Sequence, residues 1–181
     1  MPFVKHAVSA QGYDRLMEIA TERLLLRRAR PEDVDALHAI LSNDRAMRYW
    51  STPPHATRAE TEAWLAAMIQ SPAEESEDFV VVRDGRVIGK AGAFRLPEIG
   101  YILHPDHWGL GLGREALSGF VAHVFRRPDV DHLVADVDPR NIGSLRMLAG
   151  LGFYEAGRAE RTYHTHIGWC DSIYLRLDAP G

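Results

Sequence analysis

The chain alternates between short apolar runs and longer stretches in which apolar residues recur with helical spacing. Apolar and β-branched runs bounded by polar or glycine-containing segments predict β-strands. These runs cover residues 24–28, 79–83, 86–90, 98–103, 132–137, 153–158 and 172–177. The Asp84-Gly85 pair between the second and third runs is typical of a two-residue hairpin turn. The last two runs are predicted to form another antiparallel pair.

Other stretches carry apolar residues at intervals of three and four, which predicts helices with one buried face. The first begins with a proline and two acids at residues 31–33. Thr57 is a suitable N-cap for the second, and a third follows a glycine-rich segment. The fourth begins near Asn141 and ends before Gly152. Residues 71–78 are predicted to be a polar, acidic connection.

The chain length suits one globular domain. Its 181 residues are 46% hydrophobic, which is enough for one substantial core. Residues 1–16 are weakly patterned and are predicted to be an N-terminal extension, and residues 17–181 to be the domain. Strands interspersed with helices indicate an α+β fold, a mixed sheet with helices around it.

Charge and cysteine content exclude several classes of partner. A net charge of −4 gives no general attraction to nucleic acid. The lone Cys170 permits neither an internal disulfide nor a cysteine-based zinc site, and it favours a cytoplasmic location. No apolar run approaches the roughly 20 residues that span a bilayer, so no membrane partner is expected. His164 and His166 have no third ligand near them in sequence, so no metal is predicted.

The most informative segment has glycines at alternate positions, Gly109, Gly111 and Gly113, between a predicted strand and a predicted helix. Such a turn brings backbone N–H groups to a helix N-terminus, where a diphosphate binds well. The dinucleotide-binding pattern is excluded because its third glycine would fall on Arg114, and no Gly-Lys-Ser/Thr follows. A glycine-rich turn that binds no ligand is the alternative.

Three motifs, in their order along the chain, resemble those of the GNAT acetyltransferases, and among them the RimJ/RimL-like enzymes that acetylate N-terminal amines. They are residues 21–24 followed by Asp33, residues 108–117 and residues 141–153. The resemblance, which extends over about residues 20–177, implies a single GNAT-like domain. Its central sheet would be mixed and mostly antiparallel, flanked by helices, with the strands at 98–103 and 132–137 splayed apart. It also implies acetyl-CoA as co-substrate.

The same resemblance implies the residues that contact acetyl-CoA. The loop would hold the pyrophosphate, the main chain of the preceding strand would pair with pantetheine, and Asn141 would bind from the other side. Asn141 has the alternative role of helix cap. The implied set is Ile102, Leu103, Trp108, Gly109, Gly111, Leu112, Gly113, Arg114, Asn141 and Ser144.

Acetyl transfer to an amine requires a proton acceptor for the amine and a proton donor for the thiolate. Glu98 is the predicted base, with a solvated strand-end carboxylate as the alternative interpretation. Some RimL-like enzymes use a later glutamate, but that position is Tyr163 here, which leaves Glu160 or a water network open. Ser144 is the predicted proton donor, because Leu148 stands where many GNAT enzymes have a tyrosine.

The predicted acceptor groove includes Trp50, His55 and Tyr163, from the loop at residues 50–55 and a predicted turn at 161–166. These side chains can receive an amine by cation–π contact or hydrogen bonding. The expected substrate is a protein N-terminus or a small amine, and a homodimer is compatible with the family. The competing hypothesis is a module that binds or senses acyl-CoA without turnover.

Overall fold

The structure is a computed structural model that describes residues 18–181 except Ala73, together with the backbone of residues 6–8 and 14–16. β1 (His6–Val8) and β2 (Asp14–Leu16) pair antiparallel as a separate two-stranded sheet. The rest of the predicted extension, residues 1–5 and 9–13, lies outside the described residues, as does Met17. The boundary between extension and domain therefore stays a prediction.

The main sheet has eight strands in the order β3-β4-β5-β6-β7-β8-β10-β9. Neighbouring strands run antiparallel except β7 and β8, which are parallel. The strands are β3 (Glu18–Ala20), β4 (Leu25–Arg27), β5 (Glu77–Arg83), β6 (Arg86–Arg95), β7 (Glu98–Leu103), β8 (His132–Val137), β9 (Tyr154–Thr165) and β10 (Gly168–Asp178). The predicted mixed, mostly antiparallel sheet is confirmed.

Helices cover both faces of this sheet. They are α1 (Val34–Leu41), α2 (Asp44–Met47), α3 (Arg58–Gln70), α4 (Leu112–Val124) and α5 (Ile142–Gly150). One apolar cluster joins α1–α3 to the sheet through Val80, Val82 and Ile102. A larger cluster joins α4 and α5 to the opposite face, around Phe79 and Phe120. The single mixed α/β domain expected from the sequence is confirmed.

Local signals in the sequence place several ends of these elements. Thr57 accepts a hydrogen bond from the Glu60 N–H at 3.3 Å and so caps α3. Gly152, with φ +95°, follows the end of α5, because a residue without Cβ adopts that conformation at little cost. Asp84 and Gly85 both have positive φ, as a two-residue hairpin turn between β5 and β6 requires.

The prediction of a polar connection at residues 71–78 is wrong at its end. β5 begins at Glu77, and both Glu77 and Asp78 are almost fully buried. Their charges are tolerated because distant residues pair with them: the Asp78 carboxylate holds Lys90 Nζ at 2.9 Å, and Arg28 and Arg127 pair with Glu77. These acids are core residues of the sheet.

The final hairpin also differs from the prediction. Residues 161–165 belong to β9, so the turn is confined to His166 and Ile167, just before Gly168 with its φ of +94°. A β-bulge between Cys170 and Ser172 keeps the two long strands paired. The predicted acceptor turn is therefore an edge strand.

Candidate active site

A gap opens between β7 and β8, the only parallel neighbours within the described part of the main sheet. They pair at a single position, Glu98 with Val134, where the Val134 N–H donates to the Pro97 carbonyl at 3.0 Å. From there β7 remains paired with β6 and β8 with β10, so the two strands separate toward Leu103 and Val137. This is the predicted splay.

Alternation along β7 decides which main-chain groups face the gap. The His104 N–H donates to the Ile88 carbonyl at 2.9 Å, which makes Leu103 and Gly89 a non-hydrogen-bonded pair. The N–H and C=O groups of Leu103, and of Tyr101 two residues earlier, therefore point away from β6 and into the gap. Those of Ile102 belong to the ladder with β6, so the predicted main-chain role of Ile102 does not fit, and the main chain of Tyr101 faces the gap instead.

The loop after β7 is shaped by glycine conformations that other residues adopt with strain. Gly109 and Gly111 have φ of +72° and +76°, and a Cβ added at Gly109 would have nothing within 4 Å. The space beside Gly109 is therefore open to a ligand. Gly113 is different: a Cβ there would lie 3.1 Å from the Met147 sulfur, so this glycine serves the close packing of α4 on α5.

The N-terminus of α4 supplies a set of hydrogen-bond donors at this loop. Glu115 makes the first bond within the helix, from its N–H to the Gly111 carbonyl at 3.0 Å. The preceding N–H groups, those of Leu112, Gly113 and Arg114, have no acceptor in the preceding turn of the helix, so they can bind an anion. The Arg114 side chain itself donates to the Gly150 carbonyl at 2.9 Å, at the end of α5.

Arg23, in the turn between β3 and β4, braces the loop. Its guanidinium donates to the Leu110 carbonyl at 3.0 Å and pairs with the Glu115 carboxylate at 2.7 Å. Thr21 donates to the same carboxylate at 2.6 Å. Although burial alone would raise the pKa of Glu115, these hydrogen bonds lower it, so the carboxylate stays ionised. An open cavity of about 500 Å³ beside this network includes Gly111 among its lining residues.

Trp108 closes one side of the gap. Its indole N–H donates to the Leu103 carbonyl at 2.9 Å, although nearly half of the side chain is exposed. That carbonyl is therefore occupied by a protein donor, and the N–H is the Leu103 group available to a ligand. Trp108 was predicted to contact acetyl-CoA from the loop. The structure shows in addition that its side chain is hydrogen-bonded to β7 at the edge of the gap.

On the α5 side of the gap, Ser144 shares a hydrogen bond with the Tyr101 hydroxyl. Asn141 caps α5, because its side-chain oxygen accepts the Ser144 N–H at 3.2 Å. Burial raises the pKa of Tyr101 to about 12, against the opposing effect of the Ser144 hydrogen bond, so the phenol keeps its proton at neutral pH. Tyr101 was not among the site residues predicted from the sequence. Its only signal there was a hydroxyl group within a mainly apolar strand.

The opposite face of the sheet carries the predicted acceptor side. The half-buried Trp50 ring lies 3.7 Å from the position of a Cβ added at Gly100. Lys90 Nζ lies 3.9 Å from the same position and 5.9 Å from the centre of the Trp50 ring, but it is paired with Asp78. Trp50 therefore stands at the gap, and Gly100 leaves space in front of it.

His55 is held elsewhere. Its Nδ1 lies 2.8 Å from the hydroxyl of the buried Thr61, which also contacts His38 at 2.9 Å. Burial lowers the pKa of His55. These contacts place His55 in the packing of α1 against α3, so the structure does not bring it to the gap together with Trp50.

The predicted carboxylates occupy different positions. Glu98 is exposed at the start of β7, where β7 and β8 are still paired. Glu160 is exposed on the edge strand β9. A carboxylate that the sequence analysis missed, Asp136 of β8, lies where the strands separate, and Ser172 donates to it at 2.9 Å. Tyr163 is half-buried, and burial together with the charge of Asp136 raises its pKa to about 12.

Residues 23–154 match the family described as "Acetyltransferase (GNAT) domain". The chain belongs to this GNAT family. Among curated relatives, the N-acetyltransferase YoaA of Bacillus subtilis is 30% identical over 152 residues, which cover 77% of this chain and 84% of YoaA. The protein is accordingly an acyltransferase, and the predicted membership is confirmed.

Solved structures share the GNAT fold at low sequence identity. The RimL ribosomal L7/L12 alpha-N-protein acetyltransferase in complex with coenzyme A has a TM-score of 0.78 and 20% identity, over 89% of this chain and 97% of that one. Spermidine N-acetyltransferase from Vibrio cholerae, in complex with CoA and spermine, has a TM-score of 0.74 and 21% identity, over 87% and 96%. At these identities the likeness establishes the fold.

Two further observations concern only the described residues. None of their helices has the length and apolar character needed to cross a membrane. Among them, no three His, Cys, Asp or Glu side chains are grouped to hold a metal ion.

Proposed function

We propose that this GNAT protein transfers an acetyl group from acetyl-CoA directly to a primary amine. The observation that carries the proposal is the gap between β7 and β8, which opens beside a helix N-terminus with unpaired N–H groups. The main-chain N–H and C=O of Tyr101 and the N–H of Leu103, which face this gap, are suited to pair with an extended, amide-containing chain such as pantetheine.

The residues present fit this co-substrate. The open space at Gly109 and the N–H groups of Gly111, Leu112, Gly113 and Arg114 suit a pyrophosphate. Acetyl-CoA, when bound, supplies the acetyl thioester. The N–H of Leu103 is directed into the gap and is suited to polarise a carbonyl there.

On the α5 side of the gap, Ser144 donates a proton to the departing thiolate, and Tyr101 supports it through their shared hydrogen bond. Leu148 is fully buried and has no proton to give, so the hydroxyl pair replaces a donor at that position. Tyr101 holds the Ser144 hydroxyl in place and is protonated at neutral pH, so it can replace the proton that Ser144 gives to a thiolate. Asn141 fixes the start of α5, and its amide nitrogen is suited to contact the pantetheine chain.

The acceptor is a primary amine, either a protein N-terminus or a small molecule. RimL acts on ribosomal protein L7/L12, and the Vibrio cholerae neighbour is a spermidine acetyltransferase, so both kinds occur among proteins of this fold. Trp50, at the gap, offers an aromatic face to a cation. A cytoplasmic location and a homodimer are part of the proposal, the first supported by the free, buried Cys170.

The test is release of free CoA from acetyl-CoA across small amines, amino acids, polyamines and N-terminal peptides, with binding measured calorimetrically in parallel. Gly111→Val places a β-branched side chain at φ +76° and is expected to abolish acetyl-CoA binding. Gly168→Val imposes similar strain at φ +94° in the distant β9–β10 turn and is the matched control. Tight binding without turnover on any amine would favour the sensing module instead.

A further inference from the structure

We infer that Asp136 is the general base that removes the proton from the acceptor amine. This assignment rests on the proposed function. It follows from three features: the position of Asp136 where β7 and β8 separate, the face of the sheet to which its side chain points, and its hydrogen bond from Ser172.

The register fixes the position of Asp136. Glu98 pairs with Val134, and two residues further along each strand lie Gly100 and Asp136, on the same face of the sheet. Gly100 has no side chain, so nothing on β7 covers the carboxylate from that position. Trp50 stands over Gly100 on this face, which therefore carries both an aromatic ring and a negative charge at the gap.

The proposed proton donor lies on the other face. Tyr101 is adjacent in sequence to Gly100, and its side chain therefore points to the opposite side, where it meets Ser144 of α5. Asp136 and the Tyr101–Ser144 pair thus border the gap from opposite faces of the sheet. This division suits transfer, because the incoming nitrogen must lose protons while the departing sulfur gains one.

The surroundings suit Asp136 to accept a proton. The Ser172 hydroxyl donates to one carboxylate oxygen at 2.9 Å and orients the group. Asp136 keeps part of its surface exposed, but burial of its carboxyl raises its pKa. The Ser172 hydrogen bond opposes this rise, and the like charge of Asp138 adds to it. A carboxylate whose pKa is raised is a better base.

Several other charged or titratable groups of the described residues lie on this side, among them Cys170 and Arg176. Tyr163 of β9 lies close enough for the charge of Asp136 to raise its pKa. Tyr174 of β10 is the direct strand partner of Asp136, and Glu98 lies diagonally across from it on β7. Asp138 is itself paired with Arg140. Lys90, on the same face, is paired with Asp78.

The proton balance is simple. An ammonium R–NH3+ gives one proton to the Asp136 carboxylate, and its nitrogen lone pair then forms the C–N bond while the C–S bond breaks. The nitrogen loses a second proton to water, and Asp136 then passes its own proton to solvent. The sulfur gains a proton from Ser144, which takes one from Tyr101, and Tyr101 takes one from solvent. The products are R–NH–CO–CH3, CoA-SH and one released proton.

The two carboxylates considered from the sequence are less well placed. Glu98 lies at the closed end of the gap, where the strands are hydrogen-bonded. Glu160 is on β9, which is separated from β8 by β10. Only Asp136 of these three lies where the strands part.

The decisive experiment compares wild type with Asp136→Asn, using the best amine found and analogues of lower pKa. Asparagine keeps an oxygen for Ser172 but cannot accept the proton. We expect kcat/KM to fall about 10²- to 10⁴-fold for an amine of pKa near 10. The loss should shrink steadily as the amine pKa falls, because a neutral amine needs no base. Acetyl-CoA affinity should not change.

A second readout does not depend on turnover. In 13C NMR of the free protein with labelled aspartate, the carboxyl resonance missing from Asp136→Asn should titrate above the ordinary value of about 3.9. Asp35→Asn, at an exposed position on α1, is the matched control and should keep wild-type kinetics. Glu98→Gln tests the competing base.

The outcomes separate cleanly. Wild-type kinetics in Asp136→Asn, a loss independent of amine pKa, or an ordinary titration of its carboxyl would overturn the assignment while leaving the acetyltransferase activity established. A larger loss in Glu98→Gln than in Asp136→Asn would transfer the role to Glu98. A wild-type protein that acetylates no amine would remove the proposed function, and the base with it.

Discussion

Replacing Arg23 with alanine is expected to weaken acetyl-CoA binding without unfolding the protein. The side chain makes two contacts with the glycine loop region, a hydrogen bond to the Leu110 carbonyl and an ion pair with Glu115. The backbone N–H of residue 23 also binds Glu115, at 2.7 Å, and this contact survives the substitution. The loop therefore loses its brace while the turn that carries Arg23 remains anchored.

The size of the effect follows from exposure. The Arg23 side chain is 42% exposed and that of Glu115 15%. A hydrogen bond of this kind contributes about 0.5–1.5 kcal/mol, and an exposed ion pair about 0–1 kcal/mol. The sum of about 0.5–2.5 kcal/mol, if lost from ligand binding, raises the Kd for acetyl-CoA about 2- to 70-fold.

Titration calorimetry with acetyl-CoA measures this change, and thermal unfolding checks the fold. The substitution also leaves the Glu115 carboxylate without its guanidinium, close to where a pyrophosphate would bind. Adding Glu115→Gln to Arg23→Ala should therefore recover part of the affinity. Arg158→Ala, on the exposed edge strand β9, is the control. A Kd within twofold of wild type would refute the bracing role, and a loss well beyond 100-fold would mean that Arg23 contacts the ligand itself.

The remaining predictions concern turnover, burial and pH. Ser144→Ala should lower kcat more than it changes the Kd for acetyl-CoA, and single-turnover kinetics with unchanged rates would remove Ser144 as the donor. Asp78→Ala leaves the Lys90 ammonium buried without its partner and should cost about 3–5 kcal/mol in urea unfolding. Adding Lys90→Met should recover stability, and failure to do so would point to a different cause. Burial would raise the pKa of Asp33, but its hydrogen bonds, first from Arg27, lower it, so this pair stabilises the fold above the unfolded pKa of about 3.9. That contribution is lost as pH falls through the lower folded pKa. In Asp33→Asn, the free energy of unfolding should therefore fall less steeply as the pH is lowered below about 3.9. The same steepness as in the wild type would contradict this.

Much of the fold could be predicted because its signals are local. The strands at residues 98–103 and 132–137 have the predicted bounds, and the caps at Thr57 and Asn141 lie at the predicted helix starts. Capping, hairpin turns and glycine conformations depend on residues a few positions apart. Such interactions can be read from neighbouring residues.

The buried acids show where this local information ends. Glu77 and Asp78 were predicted to lie in a polar connection, because adjacent charged residues in a sequence usually indicate an exposed segment. Arg28 lies 49 positions from Glu77, and Arg127 lies 50 positions from it. Only the folded sheet brings these side chains together, and pairing is what allows the carboxylates to be buried.

The candidate site divides in the same way. The glycine loop, the helix behind it and the Asn141–Ser144 turn could be predicted from the amino-acid sequence, because each is a continuous segment with its own backbone requirement. The folded sheet was needed to show that Tyr101 rather than Ile102 presents its main chain to the gap, since that depends on which edge of β7 is already paired with β6. It likewise puts Asp136 on the same face of the sheet as Gly100, each two residues beyond the paired Glu98 and Val134. This arrangement exists because β7 and β8, separated in the chain by the whole of α4, meet at one residue pair and then part.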